Sequence, residues 1–501
     1  MPVTKEDSDP AAARAGARAG IRLTRRRLLA GGVTAAVSGG VTAAVSQPAR
    51  ADSHAPAAAA DGGRRPDGFK GVLRVSAVGV EWSAAIRDQA QRDLGFALEL
   101  VLLTSVEQVA RVLAAPDSFD VLSGSVYQAA RVWASHHLLP VDTRRIEAWP
   151  DLYPLFAWGK LVPGSKRCRY GVGDAPFRTL FLRAGTHGLP PSSARPPGTR
   201  DIVQWIDERT DRPYGGRPMP RHVVGVPVHF AAESICYRLD VIPKLPSRVS
   251  WAELLNRRWR SRVALQADPA TALVDAGTAA RALGLMRIEN VGSMTRPEID
   301  RLVKILTAYR RQGQFRTVWS SFNDSVNLIA SKDVALAPVW PAAAARLAAE
   351  GIHVRYAVPP EGYRGTCSAI GISASVRDRA TLDACYRLLN WMYGGFFGAA
   401  MMRQGYYVAN GERLPEWIAS YGALFPLNGQ ELRLAEYAYW YRGGRAARGL
   451  PDATGGTGGI PRGSLREGGS LRARMCRCSA WSTYFPAADY QVKRFDDFLS
   501  T

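Results

Sequence analysis

Apolar and polar positions along this chain follow two rhythms that change places in a regular order. Val72-Leu73-Arg74-Val75-Ser76-Ala77-Val78 is a short run of strand character. Residues 82–94 predict a helix, closed by Gly95. Residues 97–102 predict a second strand, 119–122 a third, and 126–138 the next helix. Strand and helix alternating in this way predict an α/β lobe with a largely parallel sheet. A strand resumes at residues 222–227. Thr295-Arg296-Pro297-Glu298 is a capping box with proline in the first turn. Behind it Ile299, Leu302, Val303 and Leu306 stand at i, i+3, i+4 and i+7, so an amphipathic helix runs on to Gly313. Leu382, Cys385, Tyr386 and Leu389 mark another helix.

Three stretches break the rhythm. Thr24-Arg25-Arg26-Arg27 precedes a weakly apolar run, residues 28–45, which leads to Ala49-Arg50-Ala51. A positive flank, a short apolar stretch and a small-residue cleavage site are the layout of a secretory leader, and the paired arginines point to the twin-arginine route. Residues 1–51 are therefore expected to be an export signal and 52–68, rich in Ala, Gly and Arg, a loose tether. The apolar run contains Gly31, Gly32, Gly39 and Gly40 and makes a poor bilayer span. Residues 188–220 are rich in Pro, Gly and Arg and read as a surface excursion with a helical patch at 202–206. Residues 443–469 read as an exposed loop.

Composition narrows the class. A chain of 501 residues exceeds one compact core and suits two or three lobes, and 47% hydrophobic residues is ordinary for a globular protein. The formal charge of +21 invites a nucleic-acid reading, but the arginines are scattered, as at Arg377, Arg379, Arg387 and Arg403, and export removes the chain from DNA. No nucleic-acid partner is expected. Six cysteines, at 168, 236, 367, 385, 476 and 478, allow 15 full pairings, and free thiols remain equally open. No metalloprotease, serine-hydrolase, phosphate-loop or dinucleotide motif is present, so neither catalysis nor a cofactor is expected. His229 and Glu233, four apart, suit one helix face but lack a third metal ligand. His136-His137 reads as a solvated pair at a helix end.

An ordered series of short stretches carries a family resemblance. Phe119-Asp120-Val121 leads into Ser125-Val126-Tyr127, and Gly225-Val226-Pro227 precedes Tyr237. Ser250-Trp251-Ala252-Glu253-Leu254-Leu255 leads to Val263-Ala264-Leu265 and Asp268. Trp340 precedes Pro360-Glu361-Gly362-Tyr363-Arg364-Gly365, and Asn390-Trp391 leads to Gln404-Gly405-Tyr406-Tyr407. In this order and behind an export leader, the chain from Val72 onward resembles the polyamine-type (spermidine/putrescine-binding-like) extracellular solute-binding proteins of ABC transporters. The resemblance implies an α/β, two-lobed periplasmic-binding-protein-like fold of type II, with a hinge and a ligand cleft between lobes. It places lobe one at 69–230 plus 366–412 and lobe two at 231–365 plus 413–501. It implies a monomer, periplasmic or extracellular, that closes on a small solute and hands it unaltered to a membrane permease.

The resemblance also implies site residues. Ser125 and Tyr127 match ligand-facing positions of the first lobe, although Ser125 reads equally as a helix cap. Asp268 matches a carboxylate that pairs an amine; it also suits a helix start before Pro269. Thr271 stands where the family places a second carboxylate. Trp340 matches an aromatic wall for the methylene stem and Tyr406 a tyrosine near the cleft, each with a core alternative. Thr366 and Ser368 stand where polyamine binders carry tryptophan and aspartate, and the aromatic expected near Gly79 and Val80 has no counterpart. One aligned carboxylate is fewer than a diamine would want, and a polyamine-like cation is the first expectation by the family resemblance alone. An amino-acid derivative or carboxylate, held by Thr366, Ser368 and Arg364, is the second. Adjacent Tyr406 and Tyr407 resemble the paired tyrosines of ferric-ion binders, a third; an exported cofactor enzyme is a fourth.

Overall fold

The computed structural model describes residues 69–158, 180–183, 202, 206–207, 212–451, 459–483, 485 and 487–501. The leader and tether, Cys168 and most of the 188–220 excursion lie outside the described residues. Within that excursion Ile202 forms a bridge to Leu182 and Ile206–Asp207 is a short strand, so these two positions are extended and not helical.

The first lobe is built from strands β1 (Val72–Val78), β2 (Ala97–Leu103) and β3 (Val121–Ser125), with helices α1 (Ala84–Leu94), α2 (Ser105–Ala114) and α3 (Val126–Ala134) following each strand in turn. β1 lies parallel to both β2 and β3, as the alternation predicted. Gly95 stops α1 at φ 73°, a left-handed conformation that glycine adopts without steric cost. α3 is shorter than expected. His136 turns to φ 63°, and Leu138–Leu139 becomes a short strand.

The second lobe repeats the plan. After the long strand β4 (Val226–Arg238) come β5 (Val263–Gln266), α4 (Pro269–Ala282), α5 (Arg296–Arg311), β6 (Phe315–Trp319), α6 (Phe322–Ala330), β7 (Leu336–Val339) and α7 (Pro341–Ala349). β5 lies parallel to β6 and β7, as β1 does to β2 and β3. The chain returns along β8 (Tyr363–Ser373) to α8 (Arg379–Met392) and α9 (Gly395–Arg403). The inner strand of each half meets a long strand antiparallel, β3 against β8 and β7 against β4. β4 and β8 also pair with each other, so the sheet order is β6-β5-β7-β4-β8-β3-β1-β2. Two α/β lobes joined by crossover strands is the architecture of a two-lobed solute-binding fold.

Packing redraws the expected lobe boundary. Leu414, Ile418, Tyr437, Trp440, Leu471 and Met475 lie in the same hydrophobic core as Val75 and Val121 of lobe one. Of the stretch 413–501, Ala480, Phe485 and the final helix α10 (Ala488–Leu499) join lobe two, where Phe495 and Phe498 pack among residues of α4 and α5. The 443–469 segment is more ordered than its composition suggests: Leu450–Pro451 pairs with Gly459–Ile460, and Ala446, Leu450 and Arg466 are buried. Among the described residues Cys236, Cys367, Cys385 and Cys476 are free thiols.

Candidate functional site

The carboxyl ends of the parallel strands of both lobes meet over one cleft, the usual place for a ligand in open α/β sheets. Glu81 follows β1, Ser125 ends β3, Asp268 follows β5 and Trp340 follows β7. The floor comes from the crossover strands. In a strand every second residue shares a face. β4 therefore presents His229, Ala231 and Glu233 together, and β8 presents Ser368, Thr366 and Arg364 directly opposite them in register.

Ser125, Tyr127, Asp268, Thr271, Trp340, Thr366, Ser368 and Tyr406, the residues singled out from sequence, all line one inner cavity of about 60 Å³. Val78, Val80 and Trp340 also line a wider outer chamber of about 460 Å³ between Thr104 of lobe one and Ser321 of lobe two. The cap and cavity readings coexist. Ser125 caps α3, with Gln128 Oε1 accepting its amide at 2.8 Å. Asp268 Oδ1 accepts the amides of Ala270 at 2.8 Å and Thr271 at 3.2 Å at the start of α4. The Thr271 hydroxyl donates to Gln266 at 2.9 Å. Trp340 stands edge-on to Trp319, 5.2 Å between ring centres.

The cavity wall also holds Glu81, which was missed, and His229 and Glu233, which the sequence had paired on a helix face as an incomplete metal site. His229 and Glu233 do share a face, but that of a strand. A His-x-x-x-Glu spacing inside a thirteen-residue, fully buried strand was the available signal. Glu81 is buried and bonds to His229 Nε2 at 2.8 Å and to the Ser123 hydroxyl. Burial alone would raise its carboxyl; His229 and the Ser123 and Ser368 hydroxyls outweigh that and hold it below the ordinary range. Glu233 is pushed the other way, to about 7, by burial, with Arg364 opposing and Asp275 adding to the rise. Asp275, on α4, is raised to about 6 by burial against the pull of Arg364, and burial raises Asp268 as well.

Arg364 is not free for a ligand carboxylate, contrary to expectation. It is buried, with Nη1 2.6 Å from Glu233 and Nε 2.7 Å from Asp275. The paired-tyrosine arrangement fails too. Tyr406 lies edge-on to His229 beside the cavity, whereas Tyr407 packs behind the floor against Phe230 and Tyr441. Among the described residues no cluster of His, Cys, Asp and Glu is arranged to hold a metal ion. The floor and wall thus bring four buried carboxylates, Glu81, Glu233, Asp268 and Asp275, around one permanent cation, Arg364.

Residues 199–425 match the family model of bacterial extracellular solute-binding proteins. That stretch of the chain is similar to these proteins. The matched segment contains both crossover strands and Asp268, Trp340 and Tyr406, while Glu81, Ser125 and Tyr127 come from the first lobe ahead of it. No curated protein sequence matches the chain. Among solved structures, an ABC transporter substrate-binding protein from Bradyrhizobium japonicum is 14% identical, with a TM-score of 0.49 over 86% of this chain and 100% of that one. A putative spermidine/putrescine ABC transporter from Listeria monocytogenes is 14% identical, with a TM-score of 0.47 over 74% and 96%. The TpPotD lipoprotein of Treponema pallidum is 14% identical, with a TM-score of 0.46 over 85% and 99%.

Proposed function

We propose that this chain is the substrate-binding subunit of an ABC importer, that it captures a small cationic amine outside the cytoplasm, and that it delivers the amine unaltered to a membrane permease. The surplus of buried carboxylates over arginine in the cleft carries this reading. Each ionised carboxylate removed from water costs several kcal/mol unless a cation pairs with it. Glu81 already pairs with His229 and Arg364 serves Glu233 and Asp275 at once, so an ammonium group arriving beside Glu233 and Asp268 restores the balance. Trp340 and Tyr406 offer aromatic faces for a methylene stem. A polyamine-like ligand is the first choice. An amino-acid derivative meets the same floor through its amine. A plain carboxylate does not, because Arg364 is already engaged.

Thermal-shift and calorimetric titration of the purified protein against putrescine, spermidine, amino acids and simple carboxylates tests the proposal. A ligand at 100 times its dissociation constant adds about 2.7 kcal/mol of stability. Stabilisation by an amine and none by carboxylates is the expected result. Stabilisation by carboxylates alone overturns it.

A further inference from the structure

Behind the floor of the cleft lies a second charged cluster, of opposite sign. Arg466 and Arg474 are buried against the rear of the crossover strands. The Arg466 Nη atoms donate to the carbonyls of Trp440 and Gly405, the latter at 2.8 Å. Those of Arg474 donate to the carbonyls of Glu467 and of Ala232 on β4, the latter at 2.9 Å. The Arg466 guanidinium lies 4.7 Å from the Tyr407 ring centre and 4.6 Å from that of Trp440; Arg474 lies 4.7 Å from the Tyr363 ring. Among the described residues neither arginine forms an ion pair. Glu467, the carboxylate that acts on Arg474, pairs with Arg355 at 3.4 Å. Burial lowers Arg466, and the charge of Arg474 lowers it further. Arg474 itself is raised: burial works against its charge, and the neighbouring Tyr363, Tyr407, Tyr356 and Glu467 outweigh it.

The same region holds buried groups without a hydrogen-bond partner: the hydroxyls of Tyr363 and Tyr407, Arg474 Nε and Trp440 Nε1. Every one is a donor. The Tyr363 and Tyr407 phenols both act electrostatically on both guanidiniums. Buried donors left without acceptors and buried cations left without counter-charge are both costly, and one species cures both.

We infer that Arg466, Arg474 and the hydroxyls of Tyr363 and Tyr407 form a buried binding site for a small inorganic anion such as a halide. Water would satisfy the donors but leave two charges uncompensated. The site lies on the face of the sheet opposite the cleft and is independent of the amine reading. Its occupant pins residues 466–474 to the strands that join the lobes.

Two measurements on the whole chain test this. Thermal midpoints are compared in sodium chloride and sodium gluconate at matched ionic strength, and crystals grown with bromide are examined for anomalous scattering. The expected result is a saturable chloride-dependent rise, about 3 °C at 100 times the dissociation constant, with a bromide peak between Arg466 and Arg474. The double variant Tyr363→Phe, Tyr407→Phe keeps the rings and should lose the chloride dependence. Equal midpoints in both salts with no bromide peak, or a chloride dependence untouched in the double variant, overturns the site. The bromide measurement needs no variant, so a variant that fails to fold leaves the test intact.

Discussion

Single residues in the cleft do two jobs, and substitutions can separate them. Asp268 caps α4 and carries a charge into the cavity. Asparagine caps a helix about as well as aspartate. Asp268→Asn should therefore fold with little change in thermal midpoint and lose about tenfold or more in amine affinity by calorimetry; unchanged affinity removes Asp268 from the site. Glu233 makes a different prediction. Its folded value near 7 lies above the ordinary 4.5, so the folded state holds the proton more tightly than the unfolded chain. The stability this contributes is full below the ordinary carboxylate range and is lost as pH rises through about 7. Without ligand, Glu233→Gln should gain stability relative to the parent between pH 5 and pH 8, by about 1.4 kcal/mol for each factor of ten in proton affinity between the folded and unfolded chain, as denaturant titrations would register. At this scale the sequence brought eight residues to one cavity because strand ends and helix caps leave local marks. Glu81 went unseen, and His229 and Glu233 were paired on a helix and not in the cleft, because their partners come from other strands; Arg364 looked available because its two carboxylates lie far away along the chain, one on β4 and one on α4.

Helices and strands announce themselves when their signals are local. The Thr295 capping box forms as read, with the Thr295 amide donating to Glu298 at 2.8 Å. Thr295→Ala should cost about 1 kcal/mol and leave amine affinity alone, whereas Ser125→Ala should cost a similar amount and weaken binding as well. Chemical denaturation beside calorimetry separates the two, and equal effects on binding would remove Ser125 from the ligand's surroundings. Gly362 offers a harsher case. It sits at φ 96° against the Arg477 carbonyl, so Gly362→Ala should destabilise by more than about 1 kcal/mol. The 443–469 segment escaped sequence reading because its order comes from a short hairpin and from Arg466 reaching distant carbonyls. Neither leaves a periodic trace.

For the whole molecule, the alternation of strand and helix made an α/β class legible, and the resemblance supplied the two lobes. The boundary after residue 412 did not follow, since chain order alone does not say which core the segment 414–475 would fill. Two predictions belong at this scale. Amine capture should compress the protein in small-angle scattering as the lobes close, and unchanged profiles with a saturating amine would argue against a closing cleft. Amine affinity should also rise with pH through the range of Asp275 and Glu233, near 6 and 7, by up to about tenfold per pH unit for each proton displaced; a flat profile from pH 5.5 to 8 would mean that the ligand does not draw on these acids. β4 and β8 supply the cleft floor and also connect the lobes. A change of cargo made through His229, Glu233, Thr366 or Ser368 therefore retunes the springiness of the joint along with its taste. New preferences should be easier to engineer at Ser105, Gln266 and Trp340, which also line the inner cavity but hang from the lobes and leave the joint's mechanics untouched.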